Sequence, residues 1–244
     1  MIEIPAGTFT MGSNDAEPHE QPQHEVYLDR FEIAKYAVTN RQYDAFLAVQ
    51  PDQLSPTHWN GRTAPDSYEH HPVVNVTWDQ AQAYTAWLTQ QSGQRYRLPT
   101  EAQWEKAARG IDGRTYPWGE TFDTSSCNTR AKSPGQTTPI DAYPSGASPY
   151  GVMDMAGNVS EWCIDWYQEG YSQRTERNPT GPPAGEHRVI RGGSWRYSKN
   201  AARCSARYWC PPSNQRDNLG FRLVISDNAN WAPKYSLNPQ GKAP

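Results

Sequence analysis

Three segments of this 244-residue chain begin with the same pattern, T-x-x-Q, at residues 39–42, 77–80 and 100–103. In such a capping box the Thr hydroxyl accepts a hydrogen bond from an unpaired helix N–H, and the Gln side chain reaches back to the Thr backbone. Gly93 and Gly110 follow the second and third segments, where helices commonly end. An apolar stripe follows each box, which predicts three short helices. The stripe residues are Tyr43, Phe46 and Leu47; Ala81, Tyr84, Trp87 and Leu88; and Trp104, Ala107 and Ala108.

The rest of the chain carries fewer regular signals. Residues 25–36 suggest an early strand or hairpin, and residues 189–190 and 221–225 are short strand candidates. Residues 111–150 contain Pro, Gly, Ser and Thr without a clear period, which is typical of long loops. The composition still favours a folded chain, because 10 Trp and 14 Tyr can build a core with few residues.

These patterns predict an α+β fold with about three short helices, small sheets and abundant ordered loop, in a single domain over residues 1–225. Loops this long in a compact domain usually bind or react with something. Residues 226–244 are polar and contain proline, and we expect this C-terminal tail to wrap the surface or to fray.

The charge pattern narrows the classes of partner. The net charge is -3, with 23 basic and 26 acidic side chains and no basic run, so no nucleic acid or anionic membrane is expected as a partner. No apolar stretch approaches the roughly 18 residues of a membrane-spanning helix. The first residues lack the basic and then apolar pattern of a signal peptide, and we therefore expect a cytoplasmic location.

Eight blocks in a fixed order resemble those of one protein family. They are IPAGTFTMGS, HEVYLDRFEIAKYAVTNRQYDAF, PVVNVTWDQAQAYTAWL, RLPTEAQWEKAARG, YPWG, GVMDMAGNVSEW, RVIRGGSW and NLGFRLV. Over residues 1–225 the chain is similar to the formylglycine-generating enzyme, or sulfatase-modifying factor, family. The resemblance implies an elaborated C-type lectin fold, with a small antiparallel sheet, flanking helices and much ordered loop.

The resemblance does not fix the function, because the family fold hosts several activities. Some members oxidise a sulfatase cysteine to formylglycine with copper held by two cysteines, and some join sulfur to histidine derivatives with non-haem iron. Others only bind ligands, including variable proteins diversified by retroelements. The six histidines of this chain form no HxxxH or HExxH pattern, so no iron site is expected.

The two copper cysteines of the oxidases have no counterpart here. In those members the first follows the Ser of the G-G-S-[WY] block by three residues, and the second comes five residues later. Tyr197 and Ala202 stand at these positions, so the resemblance disfavours an oxidase. The alternative is a copper-dependent formylglycine-generating-type oxidase of a protein cysteine, with the rearranged pair Cys204 and Cys210 as catalytic ligands. Free buried thiols and a disulfide are the other states open to this pair.

One calcium site is implied by the resemblance of GVMDMAGNVSEW to a calcium-wrapping segment of the family. By position, Asp154 and Glu161 would supply carboxylates, and Gly157 and Val159 would supply main-chain carbonyls. Calcium binds six to eight oxygens of these kinds, and here it would tie loops together rather than take part in catalysis. The competing interpretation is a structural ion pair at Glu161 and a turn hydrogen bond at Asp154.

A candidate binding surface lies between the glycine turn at residues 192–193 and the strand candidate at 221–225. Retroelement-diversified members bracket a variable patch in this way, between G-G-S-W and G-F-R. Trp, Tyr and Arg dominate binding surfaces, although some could instead pack in the core or pair with acids such as Asp217. We therefore predict a non-oxidase member that binds a protein or other ligand here, with diversification by a diversity-generating retroelement as an extension. The candidate residues are Trp195, Arg196, Tyr197, Arg203, Arg207, Tyr208, Trp209, Asn214 and Arg216.

Overall fold

The three T-x-x-Q segments begin three α-helices, as predicted. They are α1 (Asn40–Val49), α2 (Trp78–Ser92) and α3 (Glu101–Arg109). In each box the Thr hydroxyl accepts a hydrogen bond from the Gln backbone N–H at 3.1–3.2 Å. The Thr backbone N–H donates to the Gln side chain at 2.8–3.1 Å, so both bonds of the box are made.

The computed structural model describes residues 1–225 except 173 and 175. The predicted C-terminal tail, residues 226–244, lies outside the described residues. Within the described part, no helix is long and apolar enough to cross a lipid bilayer.

Eleven short strands lie among the described residues and form three small sheets. The first sheet has the order β1-β4-β11-β5, the second β10-β6-β8-β9, and the third β2-β3-β7. Most neighbours are antiparallel, but β10 with β6 and β3 with β7 are parallel. The strands are β1 (Ile2–Ile4), β2 (Gly7–Met11), β3 (His24–Leu28), β4 (Phe31–Ile33), β5 (Tyr96–Arg97), β6 (Ser160–Trp166), β7 (Glu176–Arg177), β8 (Arg188–Arg191), β9 (Arg207–Cys210), β10 (Leu219–Gly220) and β11 (Val224–Ile225).

The strand predictions were correct in kind and incomplete in detail. Residues 25–36 hold two strands, but β3 pairs with β2 and β4 with β1, so they do not form a hairpin with each other. The N-terminal strands β1 and β2 were not predicted. Residues 111–150 contain a single short 3-10 turn, Pro144–Gly146, and are otherwise loop, as expected.

Two apolar clusters make up most of the core. One packs α1 and α2 against the second sheet through aromatic side chains such as Tyr43, Tyr84 and Phe221, whose rings lie 5.4–6.4 Å apart. The other packs α3 against the first and third sheets around Trp104. Aromatic pairs at these spacings add stabilisation beyond the burial of their area.

Helix α3 is unusual because all nine of its residues are buried, including four charged ones. Lys106 donates to the carbonyls of Pro5 and Gly7, both at 2.8 Å. Arg109 donates to Glu105, one turn earlier, at 2.8 Å. A charge buried in this way requires a partner, because transfer from water to the interior is costly.

The carboxylates of α3 bind arginines from the second sheet. Glu101 accepts two hydrogen bonds from Arg207 in β9, at 2.7 and 2.8 Å, and one from Arg191 in β8 at 3.2 Å. Arg191 also donates to Glu105. Burial acts to raise the pKa of Glu101, but Arg207 and Arg191 outweigh it and lower the pKa, so Glu101 is ionised at neutral pH. We call these four residues the α3 ion network.

Loss of one member of the α3 ion network should be far more destabilising than loss of a surface pair. Arg191→Met removes the one guanidinium that contacts both Glu101 and Glu105, and it leaves the buried Glu105 with Arg109 as its remaining cationic partner. We therefore expect the free energy of unfolding to fall by about 3–5 kcal/mol. The matched control is Arg41→Met, because Arg41 and Glu69 are 3.9 Å apart and largely exposed. There we expect a loss of less than about 1 kcal/mol. Equal losses in urea denaturation of the two variants would contradict this role of the network.

Candidate binding site on the second sheet

A rigid turn joins β8 to the candidate binding surface. Gly192 and Gly193 adopt φ angles of 93° and 66°, which favour glycine. A Cβ atom on Gly193 would lie 2.6 Å from the carbonyl oxygen of Ala201, so no other residue fits there without a shift. The buried hydroxyl of Ser194 accepts a hydrogen bond from Asn218 at 2.8 Å. The turn is therefore fixed on both sides, and the chain reaches the surface at Trp195.

Three aromatic side chains emerge beyond this turn and from β9. Tyr197 and Trp209 are 36% and 37% exposed, a large area for such residues. The ring of Tyr197 stacks on Tyr208, with centroids 6.3 Å apart. Trp209 stacks on Tyr167 at 4.0 Å and meets the ring of His19 edge-on at 5.4 Å, so its ring is held in place. The antiparallel pairing of β8 with β9 fixes the positions of Tyr208 and Trp209.

These aromatic residues line a cavity of about 260 Å³, which we call the aromatic pocket. Four of its residues belong to the predicted binding set, and four were not predicted. The predicted lining residues are Tyr197, Tyr208, Trp209 and Arg216, and the others are Arg130, Ile190, Ser198 and Ala201.

Arg130 lines the aromatic pocket from a loop that is distant in sequence, and no pattern in the sequence predicted this. Its backbone N–H donates to the carbonyl of Tyr197 at 2.9 Å, and this bond joins the loop to the pocket. A single arginine in a segment without a regular pattern of apolar residues does not indicate a binding role. Its position at the pocket follows only from the packing of the loop against Tyr197.

Arg207, another member of the predicted binding set, is buried within the α3 ion network and does not line the aromatic pocket, so a ligand contact at Arg207 stays a prediction. Arg203 is mostly buried and donates to both carboxylate oxygens of Glu20, at 2.6 and 2.8 Å. Arg196 is exposed, but it forms an ion pair with Asp217. The charges of these three arginines are therefore already compensated within the protein.

Trp195 and Asn214 lie outside the lining of the aromatic pocket. Trp195 is partly buried under the guanidinium of Arg196, 4.4 Å from the ring centroid, and its indole N–H donates to the carbonyl of Asp217 at 3.4 Å. The backbone N–H of Asn214 donates to the carbonyl of Pro211 in the turn after β9. Both residues border the candidate surface rather than form its centre.

Cys204 and Cys210 do not form the rearranged metal pair of the alternative hypothesis. Both are buried and free, and they lie in different apolar clusters, Cys204 with Trp104 and Cys210 with Tyr84. Burial raises the pKa of Cys204 to about 12 and that of Cys210 to about 11, so both remain thiols at neutral pH. Copper binds the thiolate. The disulfide is excluded as well, since all four cysteines are free.

The residues implied for calcium differ in how well they suit the ion. Both carboxylate oxygens of Glu161 accept hydrogen bonds from Arg222, at 2.6 and 2.7 Å, and one also accepts from Trp104 at 2.8 Å. Calcium would compete with a buried arginine for this carboxylate, so Glu161 fits the ion poorly. Its geometry is that of the structural ion pair, the competing interpretation of the sequence.

Asp154 is better suited to a cation. It is buried with a φ of 55°, in the left-handed region, and one carboxylate oxygen accepts from the Asn158 side chain at 2.9 Å. Its other oxygen has no hydrogen-bond partner among the described residues. Burial raises the pKa of Asp154 to about 7, which is the response of a carboxyl group that lacks a sufficient counter-charge. The amide oxygen of Asn128, whose side chain donates to Asn158, is buried without a partner in the described part of the chain.

The sulfatase-modifying factor enzyme 1-like domain matches this chain over residues 1–227. The chain belongs to that family. A relative within it, the formylglycine-generating enzyme of Thermomonospora curvata, is 33% identical over 287 residues, covering 92% of each chain. The serine/threonine-protein kinase Pkn1 of Chlamydia trachomatis serovar L2 is 38% identical over 92% of this chain. The chain spans 37–38% of the length of the chlamydial kinases of this name.

Among solved structures, Treponema denticola variable protein 1 is similar to this chain with a TM-score of 0.80 and 26% identity. The match covers 92% of this chain and 94% of that protein. Together with the three helices and small sheets, it confirms the predicted α+β fold of the C-type lectin type within the sulfatase-modifying factor family.

Proposed function

We propose that this chain is a non-oxidase member of the sulfatase-modifying factor family that binds a protein or other ligand through the aromatic pocket. One observation carries the proposal. Tyr197 stands where the oxidases of the family have their first copper cysteine, and here it forms a wall of an open pocket. Ala202, at the second cysteine position, is buried and offers no ligand atom from its side chain.

The chemistry of the pocket supports recognition. Tyr and Trp provide large rigid contact areas with little loss of side-chain freedom, which is why they dominate the energetics of binding surfaces. Tyr197, Tyr208 and Trp209 are each held by a stacking partner, so little ordering would be needed when a ligand binds. Preorganisation of this kind lowers the entropic cost of association.

The similarity to a variable protein supports the same proposal for the region around the pocket. Diversification of residues 195–216 by a retroelement stays a prediction. A reverse transcriptase gene and a near-copy of the segment encoding residues 191–224 beside this gene would favour it, whereas a neighbouring sulfatase gene would count against it.

Truncation of one pocket aromatic should abolish most of the binding. We expect Tyr197→Ala to weaken the affinity for the partner by about 2 kcal/mol or more, roughly 30-fold, as for other anchor residues. The control is Leu54→Ala, because Leu54 is 73% exposed and does not line the pocket. Partners are first captured from the source cell extract on immobilised wild-type protein, and dissociation constants are then measured with the purified partner.

Two outcomes would contradict the binding proposal. The first is a captured partner that binds Tyr197→Ala as tightly as the wild type, or whose binding Leu54→Ala weakens to the same extent. The second is the absence of any protein or small molecule that is retained by the wild type and lost from the Tyr197→Ala variant. A thermal melt of both variants checks that the native fold is retained.

The structural calcium ion also stays a proposal, supported at Asp154 by the unpaired carboxylate oxygen. Asp154, with the carbonyls of Gly157 and Val159, would hold the ion and tie the loop to β6. We expect calcium to raise the melting temperature, more at about pH 8 than at about pH 5.5, because a protonated Asp154 is a poor ligand. Without calcium, the raised pKa of Asp154 favours the protonated native state, so stability falls as pH rises from about 4 to 7.

Two variants separate the roles of the calcium candidates. Asp154→Asn should remove most of the increase in melting temperature that calcium causes. Glu161→Gln breaks the pair with Arg222, so it should lower the melting temperature with and without calcium and leave the difference unchanged. A melting temperature that does not respond to calcium or to chelator at either pH would count against the site.

A further inference from the structure

The charges around the aromatic pocket are unbalanced. Arg130 and Arg216 both line it, and neither guanidinium has an acidic partner among the described residues. Three other arginines of the same region, at positions 196, 203 and 207, are all paired with carboxylates. The two uncompensated arginines thus coincide with the cavity.

The acids on the side of Tyr208 do not cancel this charge. Glu17 and Glu20 are the carboxylates whose charges act on Tyr208. Glu20 is already neutralised by Arg203, which donates to both of its oxygens. Asp217, next to Arg216 in the chain, is neutralised by Arg196 in the same way. Of these three acids only Glu17 lacks a basic partner among the described residues, so the two pocket arginines leave an excess of positive charge beside the cavity.

The size and walls of the pocket limit what it can hold. A volume of about 260 Å³ lies just below the range of about 300–1,000 Å³ that is usual for drug-sized ligands. It suits a group of side-chain size. The stacked rings of Tyr197 and Tyr208 favour an apolar or aromatic stem, because flat hydrophobic surfaces stack well.

We infer that the aromatic pocket binds an oxyanion, a carboxylate or a phosphate, on an apolar or aromatic stem of side-chain size, through Arg130 and Arg216. An arginine offers a planar fork of donors that matches the oxygens of either anion. The inference rests on the proposed binding function and names the chemistry that the same pocket selects. In a partner protein, the group would be an acidic or phosphorylated side chain.

Three small probes test the inference. They are 4-hydroxyphenylacetate, phenyl phosphate and the neutral 4-hydroxyphenylacetamide, and their dissociation constants are measured by ligand-observed NMR at low and high salt. We expect the anions to bind about tenfold or more tightly than the amide, and the difference to shrink with salt. The ranking of carboxylate against phosphate tells which of the two anions the pocket prefers.

Arginine variants test whether Arg130 and Arg216 bind the anionic group of the probes. Arg130→Gln and Arg216→Gln should each weaken anion binding about tenfold and leave the amide unchanged. The matched control is Arg196→Gln, because Arg196 is exposed on the same surface but paired with Asp217. We expect less than about a twofold change there, since a compensated charge contributes little.

The inference is overturned if the amide binds as tightly as the acids, if Arg196→Gln weakens binding as much as Arg130→Gln, or if no anionic probe binds at millimolar concentration. These results differ from a failure of the proposed function. If the amide binds and Tyr197→Ala abolishes that binding, the pocket still recognises ligands and only its preference for anions is wrong.

Discussion

The fold depends on the ion pairing between the carboxylates of α3 and the arginines of β8 and β9. Glu101 and Glu105 are buried, and so are Arg191 and Arg207. A buried pair of this kind need not be more stable than an apolar replacement, but removal of one partner leaves an uncompensated charge. The network therefore links α3 to β8 and β9 of the second sheet by contacts that cannot lose one partner cheaply. Because β9 carries Tyr208 and Trp209, and β8 leads into the glycine turn, the same contacts position the aromatic pocket.

The network also divides the arginines of the C-terminal region into two groups. Arg207 pairs with Glu101 inside the α3 ion network, whereas Arg203 pairs with Glu20 and Arg196 pairs with Asp217. Arg130 and Arg216 remain without acidic partners in the described part of the chain and line the pocket. The cysteines show no such division, because all four are buried as free thiols. A surface that offers aromatic rings and unpaired arginines, while its cysteine thiols are buried, suits ligand recognition better than oxidation of a protein cysteine.

The helices were predictable because capping boxes are local, and each T-x-x-Q makes both of its bonds. The strands were less predictable, because β5, β7, β10 and β11 have only two residues each and form by pairing with strands that are distant in sequence. Four of the eight residues that line the aromatic pocket were predicted from the sequence. Arg207 and Arg216 look alike in sequence, but Arg207 meets Glu101, 106 residues away, whereas Arg216 meets no acid among the described residues. A contact distant in sequence also distinguishes the two carboxylates of the calcium segment, because Glu161 pairs with Arg222 and Asp154 does not.

Titration of the fully reduced protein with Cu(I), against a competing chelator, tests most directly the claim that this surface recognises rather than oxidises. With the thiols of Cys204 and Cys210 in separate parts of the core, we expect no stoichiometric tight binding, and the same curve for Cys204→Ala. One equivalent of tightly bound copper that disappears in Cys204→Ala would contradict the account, because it would require the two sulfurs to meet at a common ion.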